Sequence, residues 1–424
     1  MSKTATKESP KLASNKSTPK GTPKGTPKGT PKGSPRVSRA SALRVEPPSL
    51  GPDDEAVSFA EIDGEWRTRS ISVFGVVRSF VTQLKLGQDM TRISMPAGLL
   101  YPFSMLEVNS RVVTFLTLQV FSGRELGAFH LLFGVPDEQD PFIRFLKVMA
   151  WSLSFVQEES WHKKPYNPVL GEVIHTNSKL EGREATHFIG EQVSHHPPVS
   201  AWHVYNKEEG IEATTNASFG VQFGGNSVSV TTEGGGVVRF TKSGETYDLV
   251  QKFPGATIKN VVWGTRRMYW EGNIHMKCDT TGYSVRLTAQ EENYINTIQG
   301  TVMKTEGEEE IEVATIYGRC GGEIHYTLSD SEDPVLLFDY TEMERPKTNY
   351  GAWKDLDPMS SQMVWKDVNL SSVANEMSQA DAAKKKVEQD QRTRNADKKE
   401  AGEESHSRHF EQVEGAKFWS FKRS

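Results

Sequence analysis

The order of apolar and polar positions divides the chain into four stretches. Over 70–86, "SISVFGVVRSFVTQLKL", apolar residues recur at helical spacing. Val73, Val77, Phe80 and Leu84 form one stripe, with Phe74 and Val81 beside it. Gly75 and the β-branched residues make this an indifferent helix in isolation, yet the stretch is more apolar than a surface helix needs. It suits a core helix, a mobile lid over an apolar cavity, or a helix that touches a membrane. A second helix is predicted over 141–157, "PFIRFLKVMAWSLSFVQ", opening on a proline suited to a first turn. From about 170 to 345 the period falls to two. The segment 212–240, "EATTNASFGVQFGGNSVSVTTEGGGVVRF", alternates apolar and polar residues between Gly-Gly and Gly-Asn turns. "GYSVRLTAQ", "NTIQGTVMKT", "EEIEVATIYG" and "GEIHYTLSD" read the same way. Many short, closely spaced strands predict an antiparallel sheet that curls or closes. Beyond 355 helix returns, and 381–400, "DAAKKKVEQDQRTRNADKKE", is rich in helix formers and charge.

Charge changes the picture at the N-terminus. Residues 1–46 carry 11 Lys and Arg against Glu8 and Glu46, a balance of +9, which leaves −14 for 47–424 out of a net −5. Within this region 18–36, "TPKGTPKGTPKGTPKGSPR", repeats a four-residue unit. Proline every fourth residue defeats helix and sheet, and little is available to bury. Residues 1–57 are therefore expected to be a disordered basic tail, with order from about 58 to 424. The tail reads as a solvated linker or as an electrostatic tether to anionic lipid, at about 1 kcal/mol per basic residue near the surface. Thr18, Thr22, Thr26, Thr30 and Ser34 each precede a proline, and their phosphorylation would more than cancel the tail's charge. Two cysteines, Cys278 and Cys320, suit a reducing compartment. No apolar run approaches the ~18 residues of a membrane span, and no secretory core is present. A cytoplasmic protein is expected.

Three segments carry candidate chemistry. In 163–172, "KKPYNPVLGE", Pro165 and Pro168 hold the chain extended and present Lys164 and Asn167 in a set relation. In 191–198, "EQVSHHPP", two prolines stiffen the chain after His195 and His196. A metal site would need further ligands at usable spacing, and a catalytic base would need a Ser or Cys nucleophile in a recognisable setting. Neither stands out. An anion clamp needs only N–H donors, which imidazoles supply near neutral pH. In the late helix Lys384, Glu388 and Arg392 stand at i, i+4 and i+8, a stripe about 12 Å long. Read locally, that stripe is ordinary salt bridging on a solvated face.

Together these segments resemble the oxysterol-binding-protein-related family. "EQVSHHPP" is similar to its fingerprint, and "KKPYNPVLGE" to its Lys-Pro-x-Asn-Pro segment. "FGGNSVSV" (223–230) resembles its Gly-Asn-Ser strand, and "DMTRISMPAGLLYPFSMLE" (89–107) the stretch behind its lid. "MVWKDV" (363–368) and the Lys-x3-Glu-x3-Arg stripe resemble its C-terminal helices. The match runs in order over roughly residues 66–395.

The resemblance implies an α+β fold, predominantly β: an incomplete antiparallel β-barrel around a lipid tunnel, with an N-terminal lid helix and C-terminal helices. It implies that His195 and His196 contact the 4-phosphate of phosphatidylinositol 4-phosphate, and that Lys164 and Asn167 contact the head group. Lys384 and Arg392 would complete a cationic cup, with Glu388 orienting them. Phe74, Val77, Phe80, Val81, Leu84, Met95 and Leu99 would be lid or tunnel contacts. The implied function is cytosolic exchange of this lipid against a second one between membranes, or sensing of the same ligands with little net transfer. No catalytic residue, metal, cofactor or nucleic acid is implied. A monomer in peripheral contact with anionic membranes is expected. At 94–100, "SMPAGLL" departs from the Leu-Pro-Thr-Phe-Ile-like pattern of phosphatidylserine-binding relatives, which favours a sterol as second cargo. The chain ends soon after the Arg392 helix, which predicts a reduced C-terminal cap.

Overall fold

The computed structural model describes residues 50–56, 87, 94–109, 125–154, 156, 164–249, 254–344, 346–402, 407–415 and 418–423. The basic repeat and the 70–86 helix, with Phe74, Val77, Phe80, Val81 and Leu84, lie outside them.

Among the described residues one sheet of 14 strands dominates. It starts at the edge strand Val335–Asp339 and runs back through Glu323–Leu328, Glu309–Arg319, Ile295–Glu306, Tyr283–Glu292 and Arg267–Cys278. It continues through Thr246–Leu249, Ser227–Phe240, Ile211–Phe223, Pro198–Asn206, Thr186–His195 and Val173–Ser178 to Thr348–Asn349. Gly255–Lys259 is inserted between Arg267–Cys278 and Ser227–Phe240. Neighbours are antiparallel and mostly consecutive, as the turn-broken alternation predicts. Among the described residues the two edge strands do not pair with each other, so the barrel is incomplete.

The period of two sets one face inward. Val285, Leu287 and Ala289 are buried, and register places Val302 opposite Val285 and Ile298 opposite Ala289. Gly300 stands opposite Leu287, where an added Cβ would come within 2.0 Å of the Arg286 carbonyl oxygen. Only glycine lets the two backbones meet there.

The inner face packs on the helix Pro141–Leu153. Asp140 caps it by accepting from the Phe142 amide at 2.8 Å, and Pro141 fills the first turn. Phe142 meets Tyr283 and Tyr326, Phe145 meets Tyr247 and Tyr283, and the Tyr340 hydroxyl donates to the Ala150 carbonyl. These rings come from widely separated places in the sheet order, so the sheet wraps around the helix. Each buried phenylalanine contributes about 1.5–3 kcal/mol. The helix ends at Leu153 rather than 157, because the amides of Ser154 and Val156 bond back only three residues, to Trp151 and Leu153.

Three helices follow the sheet: Ser361–Val364, Lys366–Val373 and Met377–Glu400. The last begins four residues before the predicted 381. The chain then makes a hairpin, Phe410–Gln412 with Trp419–Phe421, on the sheet face opposite the main core. Phe410 packs against Val193 and Ala201, and Phe421 stacks on His203 at 3.9 Å. Ala201 and His203 alternate with Trp202 and Val204, which belong to the main core. The hairpin is thus an added layer that the sequence reading did not anticipate.

Residues 50–56 pack on the body of the sheet. A Gly51–Asp54 turn folds the chain back, the Ala56 amide donates to the Gly351 carbonyl at 2.7 Å, and Glu55 bridges Ala352. Leu50 packs on the core and Ala56 is buried. Cys278 and Cys320 are both buried. Among the described residues no helix is long and apolar enough to cross a membrane.

Candidate functional site

The proline-rich segment is anchored from below. Lys164–Tyr166 pairs parallel with Leu100–Ser104, and Tyr166 stacks on Trp365 at 4.4 Å. Buried Glu172 accepts from the Val169 amide at 2.9 Å, the Ser361 hydroxyl at 2.7 Å and the Trp365 indole at 3.0 Å. Burial pushes its carboxyl above the usual range. With the loop pinned to the helices behind it, Lys164 and Asn167 remain at the front. The Lys164 ammonium donates to the Asn167 side-chain oxygen. Burial, and then the charge of Lys384, bring the Lys164 pKa down to about 8.

The histidines sit where one strand ends. Pairing with Pro198–Asn206 slips between Gln192 and Ser194, a bulge that re-aims the side chains beyond it. The Gln192 side-chain Nε2 donates to the Ser194 carbonyl and the Ser194 hydroxyl to the Pro197 carbonyl, each at 2.8 Å. This tight turn presents His195 and His196 with ring centres 4.5 Å apart. Burial, and then His196, lower the His195 pKa. Glu191 works elsewhere: its buried carboxylate accepts from the Ser407 hydroxyl at 2.7 Å and from the Arg408 and His409 amides at 2.9 Å.

The long helix Met377–Glu400 brings the third group. Lys384, 7% exposed, donates to the Ser94 hydroxyl at 2.9 Å and to Glu388. Ser94 also donates to Glu388, at 2.9 Å. Arg392 reaches the same carboxylate at 3.8 Å and keeps most of its side chain in solvent. Asp381 accepts from the Ala97 amide at 2.7 Å, docking the "SMPAGLL" segment on this helix. Leu99 is buried, and half-buried Met95 bridges two apolar clusters, one around Tyr166 and Trp365 and one around Val221 and Phe223. Gln391 joins the helix to the histidines, 3.2 Å from His195 Nδ1.

All three predicted groups therefore converge. Lys164, Lys384 and Arg392 outnumber Glu388, so a positive cup is set in a body of net negative charge. Two imidazoles and an asparagine add N–H donors. Cations and N–H donors gathered in this way are chemically suited to a multivalent anion. The sequence reading missed Ser94, Glu172 and Gln391. Gln391 lies seven residues after Lys384, about two helical turns, so extending the stripe by two turns finds it. Asn226, in the Gly-Asn-Ser segment, is a structural residue, accepting from the Val262 and Trp263 amides at 3.1 Å.

Residues 79–375 match the family model for oxysterol-binding protein. The chain is 29% identical over 364 residues to mouse oxysterol-binding protein-related protein 8, covering 82% of this chain and 38% of the relative's length. It is 26% identical over 372 residues to oxysterol-binding protein-like protein OBPalpha of Candida albicans, covering 85% and 80% respectively. The fold is similar to the Osh1 ORD domain in complex with ergosterol, with TM-score 0.64 at 19% identity over 88% of this chain and 91% of that one. It is also similar to the Osh3 ORD of Saccharomyces cerevisiae in complex with PI(4)P, with TM-score 0.58 at 18% identity over 84% and 90%. A family model spanning most of the chain, and relatives sharing this sheet, make the chain a member of the oxysterol-binding protein family.

Proposed function

We propose that this protein is a lipid carrier that extracts phosphatidylinositol 4-phosphate and exchanges it for a second lipid between membranes. The observation that carries this reading is the convergence of Lys164 and Asn167, His195 and His196, and Lys384, Glu388 and Arg392 from three distant segments. A phosphate monoester carries about −1.5 to −2 charges, and the cup's cations and imidazole donors are a proportionate partner. Moving such a lipid through water exposes two acyl chains. At ~0.8 kcal/mol per methylene, some 30 methylenes cost more than ~20 kcal/mol. A closed apolar cavity under the cup, with the 70–86 stretch as its lid and Met95 and Leu99 among its contacts, removes that cost. No bond is made or broken.

Similar domains are known with ergosterol and with PI(4)P, which supports both classes of cargo. Met95, Ala97 and Gly98 depart from the phosphatidylserine-type pattern and favour a sterol. The carrier works as a monomer in the cytoplasm and touches membranes peripherally. The test is transfer between liposomes. Wild type is expected to accelerate movement of phosphatidylinositol 4-phosphate, and His195→Ala/His196→Ala to lose extraction by at least about tenfold. Undiminished extraction by the double variant overturns the site, and tight binding without acceleration makes the protein a sensor instead.

A further inference from the structure

Two hairpin tips carry large apolar side chains in full solvent. Trp263 is 67% exposed and Tyr294 71%, the highest values for large apolar residues among the described residues, and Ile295 beside them is 43% exposed. Trp263 lies in the turn 260–266, between Gly255–Lys259 and Arg267–Cys278. Tyr294 lies in the two-residue turn after Tyr283–Glu292, where Asn293 and Tyr294 take φ of 49° and 69°. The Arg267 guanidinium lies over the Tyr294 ring at 4.8 Å, so the tips are adjacent. Buried Asn296 ties them together, donating to the Met268 carbonyl at 3.1 Å and accepting from the Trp270 amide at 2.8 Å.

These tips stand at the mouth end of the site. Asn226 clamps the Trp263 backbone, accepting from its amide at 3.1 Å and donating to its carbonyl at 3.2 Å. Val261, two residues before Trp263, and Met95 both pack on the Val221 and Phe223 cluster. Ser94, next to Met95, is bonded to Lys384 and Glu388. A short run of contacts thus connects the cup to a rigid loop with an indole at its end.

We propose that Trp263 and Tyr294 are the prongs by which the mouth of the site seats in a lipid bilayer. This rests on the lipid-carrier reading, which requires the mouth to face a bilayer when cargo enters or leaves. An indole and a phenol have an apolar body and a polar edge, the character that settles at the boundary between head groups and acyl chains. Arg267, whose guanidinium lies over the Tyr294 ring, adds a cation beside the prongs for lipid phosphates. Of the carboxylates beside this turn, Glu291 is engaged by the Tyr294 amide at 3.1 Å and by Lys259 at 3.5 Å, and Glu292 accepts from the Gln290 side-chain amide at 2.7 Å. A rigid backbone pays little ordering cost on insertion.

The test compares wild type with Trp263→Ser/Tyr294→Ser on vesicles of phosphatidylcholine and phosphatidylserine containing phosphatidylinositol 4-phosphate. Vesicle partition of the double variant is expected to fall at least about tenfold. Its thermal midpoint and its binding of soluble inositol 1,4-bisphosphate are expected to stay unchanged. Vesicles brominated in the acyl chains should quench wild-type tryptophan fluorescence, and Trp263→Phe should lose most of that quenching. Head-group binding with partition and quenching indifferent to both residues overturns the prongs and leaves the carrier standing. Partition that depends on both residues, in a protein that ignores the soluble head group, sustains the prongs and overturns the carrier.

Discussion

Gln391 Nε2 lies 3.2 Å from His195 Nδ1, joining the long C-terminal helix to the end of a strand 196 residues earlier. An amide nitrogen only donates, so Nδ1 accepts and the neutral ring carries its proton on Nε2. The helix therefore decides which N–H the histidine offers to a ligand. Gln391→Leu is expected to weaken phosphoinositide binding by about 3–10-fold, the worth of one hydrogen bond. Nitrogen NMR of the imidazole, in the same variant, should show mixed tautomers where wild type shows one.

If the cup binds a phosphorylated head group as proposed, Lys164 is expected to make that binding depend on pH. Its pKa of about 8 means the empty site loses a cation as pH rises from 7 to 9. A bound phosphate favours the charged form and raises that pKa, so affinity must fall over this window. Calorimetry with inositol 1,4-bisphosphate should show a drop of severalfold between pH 7 and 9, and Lys164→Met should flatten the profile. The linkage to folding has the opposite sense, because the unfolded lysine holds its proton more tightly. Replacing this partly buried cation by methionine is expected to raise the thermal midpoint of the empty protein slightly while abolishing tight binding.

Glu172 holds the front loop by three donors at once, from Val169, Ser361 and Trp365. Glu172→Ala leaves them buried without an acceptor and is expected to cost about 3–5 kcal/mol. Glu172→Gln keeps one acceptor oxygen and should cost less. Chemical denaturation measures both, and an alanine variant as stable as wild type would contradict the assignment.

The C-terminal hairpin should come loose in acid. His203 lies under Phe421, and burial lowers its pKa to about 3, while His175 and His409, 3.1 Å apart through their Nε2 atoms, are also lowered by burial. For such groups the unfolded chain binds more protons below about pH 6.5. Stability is complete above that value and falls as pH drops from 6.5 towards 3, at up to about 1.4 kcal/mol per pH unit for each histidine. Hydrogen exchange should find the 410–421 amides opening first. Glu191→Ala, which frees Ser407, Arg408 and His409, should produce the same opening at neutral pH.

The sequence determined the periods and therefore the elements. Alternation broken by glycine turns specified the antiparallel sheet, and Asp140-Pro141 specified the start of a helix. It also determined the chemical character of each candidate segment, because Lys164, His195 and Lys384 are recognisable in their local motifs. Local pattern does not reach further, since a hydrogen bond between residues 196 apart leaves no periodic trace. Only the tertiary structure decided that Lys384 and Glu388 bond to Ser94 while Arg392 keeps most of its side chain in solvent, and that Gln391 of the same helix reaches His195. It also split "EQVSHHPP" in two. The bulge at Gln192–Ser194 changes the direction of the side chains, so Glu191 binds the C-terminal segment while His195 and His196 face the site. Which side of a strand a residue serves depends on its neighbour's register, and register is settled only when the strands pair.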